Sequence, residues 1–423
     1  MSKTQQIIRS IRKTLRPLKS FYRTILWNIF QHVFQIRAQK IRRKDNIKVL
    51  FLVSELATWK TEMLYLAMLK TKRIQPILGV TNLQSGTDEE NARKKVELLN
   101  YFANRNYDYV EIKDRKTMKN QVQPDIIFYQ EPYPSYINYD LFPTKNMYAL
   151  FCYVHYGYNT MDKEFEYNMV LHNICWQYYF ENELALVSAK KFMLIKGKNV
   201  VITGLPPTDE LLLPKVTGED PWKKQENQKK RIIWAPHHSI GTKREEIITF
   251  SCFLEIADDM LKIAEKYKNQ VQFAFKPHPL LRGKLIKHWS KDKIDKYYEM
   301  WATMENTQLE QGKYDQLFKY SDAMIHDSAS FTVEYLYMHK PCMYTVNGKE
   351  HKLNEFGQQA YDLYYKGSSA KEIEEFIQGV IDGKDPRKEE RERFYNNYLL
   401  PPHNQTACEN IISAILGIPP YNS

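Results

Sequence analysis

Four short segments of this chain put histidines and hydroxyls where chemistry is commonly done. They are Tyr153-Val154-His155-Tyr156-Gly157, Trp234-Ala235-Pro236-His237-His238-Ser239, Phe275-Lys276-Pro277-His278-Pro279 and Ala323-Met324-Ile325-His326-Asp327-Ser328-Ala329-Ser330. Each closes a short apolar run that reads as a buried strand. In the last segment a helical pattern starts at once, with Glu334 one turn in. A strand, a hydroxyl-rich turn and a helix start offer unpaired N–H groups, hydroxyls and the positive end of a helix dipole, which suits a phosphate or diphosphate. Ser328 and Ser330 are the expected phosphate contacts. Asp327 is expected to cap the helix. Glu334 either holds ribose hydroxyls or simply stabilises the helix dipole.

The histidines admit sharper and plainer readings. His155, after a strand and before a glycine that permits close backbone approach, suits a general base, or else caps the next helix. His278 sits between two prolines that fix the backbone and so place its ring rigidly for a site, or else it caps a helix from a rigid turn. Lys276 beside it and Arg282, about one turn further on, are the expected cations for a donor anion. His237 and His238 are neighbours, and side chains of neighbours on an extended strand point apart. One is therefore read as a diphosphate or acceptor contact and the other as structural, with no metal shared between them; both are counted among the expected donor-binding residues. No GxxxxGK[ST] loop, GxGxxG turn, GxSxG elbow or HExxH pair occurs. That argues against a P-loop ATPase, a dinucleotide oxidoreductase, a serine hydrolase and a zincin.

These positions need a scaffold that ends buried strands side by side. Ile47–Val53, Ile77–Val80, Tyr109–Ile112, Asp125–Tyr129, Tyr148–Val154, Ile174–Phe180 and Val200–Ile202 read as strands, with helical stretches near Lys60–Lys70 and Asp88–Asn104. After a polar stretch come strands at Arg231–Ala235, Val271–Lys276, Ala323–Ile325 and Cys342–Val346, a helix from about Arg244 to Tyr267, and a largely helical Lys371–Leu416 that Gly417 closes. Strands alternating with helices predict parallel sheets in an α/β fold. The expected organisation is a basic segment over 1–44, an N-terminal Rossmann-like acceptor domain over 45–215, a linker over 216–230, and a C-terminal Rossmann-like nucleotide-donor domain with C-terminal helices over 231–423. The site is expected in a cleft beyond the carboxyl ends of the strands. A chain of 423 residues fits two domains.

Charge is concentrated at one end. Residues 1–44 hold 12 Lys or Arg and no acid, and the rest of the chain has 49 basic against 50 acidic residues. The body is therefore near neutral, which disfavours a nucleic-acid partner. Within the basic segment Phe21, Ile25, Ile29, Val33 and Ile36 recur at helical spacing, widened by Leu26, Trp27, Phe30 and Phe34. Polar residues interrupt the run, so it is no transmembrane span or signal peptide. It reads as an amphipathic helix lying on an anionic membrane surface, or alternatively packed on the body. The 5 cysteines form no CxxC pair, which fits a reducing compartment.

Taken in order, the motifs are H-x-G at His155, G-x-P-x-x-D at Gly204, Pro206 and Asp209, the W-A-P strand end, K-P-H-P, and D-S-x-S. This order resembles the CDP-glycerol glycerophosphotransferase family of teichoic-acid-type polymerases and primases, over most of residues 47–415. The resemblance implies a GT-B-like fold with two Rossmann-like domains. It also implies a peripheral enzyme on the cytoplasmic face of the bacterial membrane, acting on a lipid-linked glycan or polymer in teichoic-acid or capsule synthesis. By the same resemblance His155 is the base for the acceptor hydroxyl. His278 steadies the donor diphosphate or protonates the leaving group, and Ser328 and Ser330 contact donor phosphate. The donor implied is CDP-glycerol, with CMP released and no further cofactor or metal. Three spellings depart from the family: Tyr156 follows His155, one Ser of the last motif is displaced, and His237-His238-Ser239 replaces a segment that carries an arginine. A related CDP-polyol donor, a nucleotide-sugar glycosyltransferase and a catalytically silent membrane-bound scaffold are the competing expectations.

Overall fold

Ile47-Lys48-Val49-Leu50-Phe51-Leu52-Val53 is apolar almost throughout because it is buried on both faces, near the middle of a parallel sheet. In the computed structural model, which describes residues 3–155, 157–213, 218–241, 249–328, 331–348 and 352–419 (side chains from residue 18 on, except Lys19), this is strand β1 (Ile47–Val53). With β2 (Ile74–Val80), β3 (Tyr109–Glu111), β4 (Ile126–Tyr129), β5 (Leu150–Val154), β6 (Gln177–Phe180) and β7 (Val200–Ile202) it builds a sheet of order β3-β2-β1-β4-β5-β6-β7. All of its pairings are parallel. The order reverses between β1 and β4, whose register pairs Leu52 with Tyr129. Phe51 stacks on Phe128 at 5.0 Å between centroids, tying the two strands on one face.

A second sheet has the order β10-β9-β8-β11-β12-β13, again all parallel. Its strands are β8 (Lys230–Ala235), β9 (Val271–Phe275), β10 (Thr307–Leu309), β11 (Ala323–His326), β12 (Cys342–Thr345) and β13 (Tyr365–Gly367). Here the order reverses between β8 and β11. The core on one face is aromatic: Trp234 lies 4.9 Å from Phe275, 5.7 Å from Phe253 and 5.3 Å from Trp301. The helix Phe253–Lys266 turns Phe253, Ile256, Ala257, Met260, Ile263 and Ala264 toward this core at helical spacing. Truncating Trp234 to alanine would cost about 3–5 kcal/mol, the range for removing a large aromatic ring from a close-packed core.

The chain divides into two compact units. The first contains residues up to Gly157, then Lys163–Asp209 and the chain from Pro401 onward; the second contains Tyr158–Asp162 and Glu210–Leu400. The helix Ala407–Leu416, expected with the second domain, therefore belongs with the first sheet. The G-x-P-x-x-D motif explains why. Both Asp209 carboxylate oxygens accept from the first N–H groups of that helix, Ala407 N and Cys408 N, each at 2.9 Å. Gly204 has φ +82°, and a Cβ there would sit 3.0 Å from Pro401. Asn410 Nδ2 adds a bond to the Thr203 carbonyl at 3.2 Å.

Other expectations shift in detail. Ile174–Phe180 is not one strand: a short helix, Val170–Ile174, ends there and β6 starts at Gln177. The helix expected from about Arg244 begins at Phe253, and residues 244–248 of that stretch lie outside the described residues. Strands β10 and β13, of 3 residues each, were not read from the sequence.

The N-terminal segment is a single helix, Lys3–Ile41. From residue 18 on it has two apolar faces rather than one. Trp27, Phe34, Ala38 and Ile41 are buried against the first unit, where Phe34 meets Phe151 edge-on at 5.6 Å. Gln31 Nε2 donates to the Cys175 carbonyl at 2.8 Å, and Arg42 Nη2 donates to the Ala414 carbonyl at 2.7 Å. Leu18, Phe21, Tyr22, Ile25, Ile29, Val33 and Ile36 form the opposite, exposed face. No helix among the described residues is long and apolar enough to cross a membrane.

Candidate active site

In the second unit the strand ends β8, β9 and β11 bring together most of the residues singled out from sequence. The chain bends after Pro236, so His237 and His238 do not point apart as extended neighbours would: their rings lie 4.2 Å apart. His278, after β9, completes the group at 5.1 Å from His237 and 4.3 Å from His238. One ring nitrogen from each of the three lies within 4.8 Å of the others, a spacing able to gather one small anion or one cation.

The hydrogen bonds behind the rings decide between these. The Leu280 N–H donates to His278 Nδ1 at 3.1 Å. Ser239 serves His237 in the same way: its N–H lies 3.3 Å and its Oγ 2.8 Å from His237 Nδ1, while that Oγ itself accepts from the Phe250 N–H. An Nδ1 that accepts leaves the ring hydrogen on Nε2. His237 and His278 thus present N–H groups, not lone pairs, which favours an oxyanion over a metal. Burial pushes His237 well below the usual histidine range, His238 down to about 4 and His278 down to about 3. The rings' mutual repulsion and the ammonium of Lys284 add to this for His237 and His278, and Lys284 does so for His238. All three are neutral at neutral pH.

Lys284 is the cation that sequence reading missed. Arg282, expected to reach an anion, is instead paired with Asp295 at 2.7 Å and lies over the Tyr298 ring. Lys276 donates to the Gly312 carbonyl at 2.8 Å with its ammonium over Tyr314. The motif R-G-K held both candidates, and only the helix Leu281–Leu285 decides which side each faces.

Among the described residues, the partners of Asp327 lie away from the helix that follows it. Asp327 is buried, and Oδ1 accepts from His237 N at 2.5 Å while Oδ2 accepts from Cys252 N at 2.7 Å and Ser251 Oγ at 3.1 Å. It thereby locks the β8 turn to the start of the Phe253–Lys266 helix, across the place where the strand order reverses. Burial pushes its carboxyl up to about 7 against these donors. Ser328 donates its N–H to His326 Nδ1 at 3.1 Å and is largely buried. Ser330 lies outside the described residues. The helix beyond is short, Phe331–Glu334 followed by a tighter turn over Tyr335–Met338, so its dipole is weaker than expected. Glu334 lies against the Tyr314 phenol.

In the first unit His155 follows β5 and is buried. Its Nε2 meets the Tyr178 hydroxyl, and Tyr153, His172 and Phe180 enclose the ring. Burial, with His172 nearby, pushes it well below the usual histidine range. The ring is therefore neutral and held by a tyrosine two residues before the end of β6. Gly157 is not forced by crowding, since a Cβ there would meet no atom within 4 Å.

Comparison with known proteins bears on the family and the fold. The profile described as CDP-Glycerol:Poly(glycerophosphate) glycerophosphotransferase matches residues 149–417, more than half of the chain. No curated protein matches the sequence. Among solved structures, the chain is similar to S. aureus MnaA in complex with UDP (14% identity, TM-score 0.55, 89% of this chain and 99% of that one). It is also similar to the Neisseria meningitidis UDP-GlcNAc 2-epimerase bound to UDP-GlcNAc (14% identity, TM-score 0.55, 88% and 99%). A variant of the wall teichoic acid polymerase TagF soaked with CDPG aligns over 97% of both chains at 13% identity and TM-score 0.53. At these identities the likeness is one of fold, and the fold is GT-B-like.

Proposed function

The chain belongs to the CDP-glycerol:poly(glycerophosphate) glycerophosphotransferase family, and from that premise we propose that it transfers glycerol phosphate from CDP-glycerol to a hydroxyl of a lipid-linked glycan or polymer, releasing CMP. The observation that carries this reading is the cluster of His237, His238 and His278 beside Lys284, in which one ring nitrogen of each histidine lies within 4.8 Å of the others at the strand ends where the second sheet reverses its order. Nucleotides bind at such a switch point in open α/β sheets.

In the proposed reaction the acceptor oxygen attacks the phosphorus that carries glycerol. A new P–O bond forms, the bond to the bridging diphosphate oxygen breaks, and that oxygen leaves with CMP. His155, held neutral, takes the hydroxyl proton. His278 donates its Nε2–H to the diphosphate and toward the leaving oxygen, while His237, His238 and Lys284 balance the charge. Transfer of this kind is mostly positioning and charge stabilisation, which fixed N–H donors supply. Work on a lipid-linked acceptor places the enzyme at the cytoplasmic face of the membrane, held there peripherally by the N-terminal helix, in teichoic-acid or capsule synthesis.

The test is incubation of the purified chain with labelled CDP-glycerol, a panel of nucleotide sugars and membrane extract. Labelled product is expected from CDP-glycerol, and His155→Ala and His278→Ala should each reduce it by at least about 100-fold without unfolding the protein. Product from a sugar donor alone would replace this reading with glycosyl transfer.

A further inference from the structure

The first sheet has its own switch point, between β1 and β4, and the residues that end those strands are not used above. Glu55 follows β1 and Glu131 follows β4, and both are almost fully buried. Glu55 pairs with Lys94, on the helix Asp88–Asn104, at 2.7 Å. Among the described residues Glu131 Oε2 completes no hydrogen bond although only 6% of the residue is exposed, and the Thr58 hydroxyl is the polar group beside this carboxyl. An unmet buried carboxyl oxygen is costly unless a ligand completes it. Beside these groups the half-buried rings of Tyr133 and Tyr136 lie 5.2 Å apart, and Tyr136 feels both carboxyls and Lys94.

We propose that Glu55, Glu131 and the Tyr133–Tyr136 pair form a subsite for an uncharged, polyhydroxylated stretch of the acceptor. The inference rests on the transferase reading above. Its logic is electrostatic. Burial, with Glu55 nearby, pushes the Glu131 carboxyl up to about 8, so it is protonated at neutral pH and can donate as well as accept. Glu55 is balanced by Lys94, and the cluster carries no net charge. A phosphate gains nothing there, whereas hydroxyls find one donor and several acceptors, and the apolar face of a sugar or polyol finds two rings. The titratable and charged groups facing Glu131 are Glu55 from the β1 end, Lys94 from the adjacent helix and Tyr136 from its own loop.

Binding of glycerol and of methyl α-glucopyranoside, followed by saturation-transfer NMR on the full chain without donor, tests this directly. Inorganic phosphate serves as the anionic competitor. Glu131→Ala is expected to weaken both polyol signals by about tenfold. Glu131→Gln, whose amide can donate like a protonated carboxyl, should stay within about threefold at pH 7. The wild-type signal should fall as pH rises through about 8 while that of Glu131→Gln stays flat. Equal signals in wild type and Glu131→Ala, or displacement of either polyol by phosphate, would overturn the subsite. Polyol binding that follows this pattern in a protein giving no transfer from CDP-glycerol would refute the donor assignment and leave the subsite standing.

Discussion

His237, His238 and His278 stand neutral around a place where negative charge is proposed to bind, and this gives the site a proton balance. In the free protein burial keeps His238 near about 4 and His278 near about 3. A diphosphate brought against the rings favours their charged forms and raises those values. The complex then holds more protons than the free protein, so donor affinity rises as pH falls below neutrality, and levels off near pH 4 where free His238 takes its own proton. Calorimetric titration with CDP-glycerol at pH 6, in buffers of small and large ionisation heat, should register proton uptake; equal heats in both buffers would contradict this account. Folding works in the opposite sense. The unfolded chain protonates these histidines near the ordinary 6.5 while the folded one does not, so stability drops as pH falls from 6.5 toward about 4. The histidines themselves were legible in sequence, because strand ends followed by His and Pro are distinctive. Their convergence was not, since it depends on the bend after Pro236 and on pairing of strands distant in sequence. Lys284 and Arg282 could not be told apart without knowing which face of one short helix looks inward. Glu55 and Glu131 follow apolar strands as plainly as the histidines do, and only their burial marks them out.

At the level of elements, the N-terminal helix leaves room for both readings that sequence offered as alternatives. Its 3.6-residue period was evident, but the widened stripe merged two faces that the fold separates. One, through Trp27, Phe34, Ala38 and Ile41, is buried in the protein. The other, through Phe21, Ile25, Ile29, Val33 and Ile36, remains exposed and is the face proposed to meet the membrane, with the neighbouring basic residues drawn to anionic lipid. Replacing Ile25 and Ile29 with serine should leave thermal stability nearly unchanged, because both are exposed, yet lower binding to phosphatidylserine-containing vesicles about tenfold or more. Sedimentation with vesicles measures it; undiminished binding would remove this face from the proposal. The long buried strands were found almost to the residue, as β1 shows. Of the three-residue edge strands, β3 and β7 were read from the sequence and β10 and β13 were not.

Across the whole molecule, the two-unit α/β architecture follows from alternation of strand and helix, but the boundary does not. Sequence order suggests that the C-terminal helices stay with the second sheet. Instead Asp209, Gly204 and Asn410 hold the helix Ala407–Leu416 to the first. Asp209→Ala leaves two helix N–H groups without their acceptor and should cost about 1–2 kcal/mol. Hydrogen exchange should then speed up in the Ala407–Leu416 helix, with β8, β9 and β11 unaffected. Faster exchange confined to the second sheet would contradict this assignment.

That return of the chain also orders events during synthesis. The stretch from Pro401 leaves the ribosome only after all of Glu210–Leu400, so the second unit can be complete while the first still lacks its closing helix. The nascent first unit spends that interval with the surface around Thr203 and Asp209 uncovered and the exposed stripe of its leading helix already made. The half more vulnerable to misassembly is therefore the one translated first, and a chaperone would be needed longest at the beginning of this protein rather than at its end.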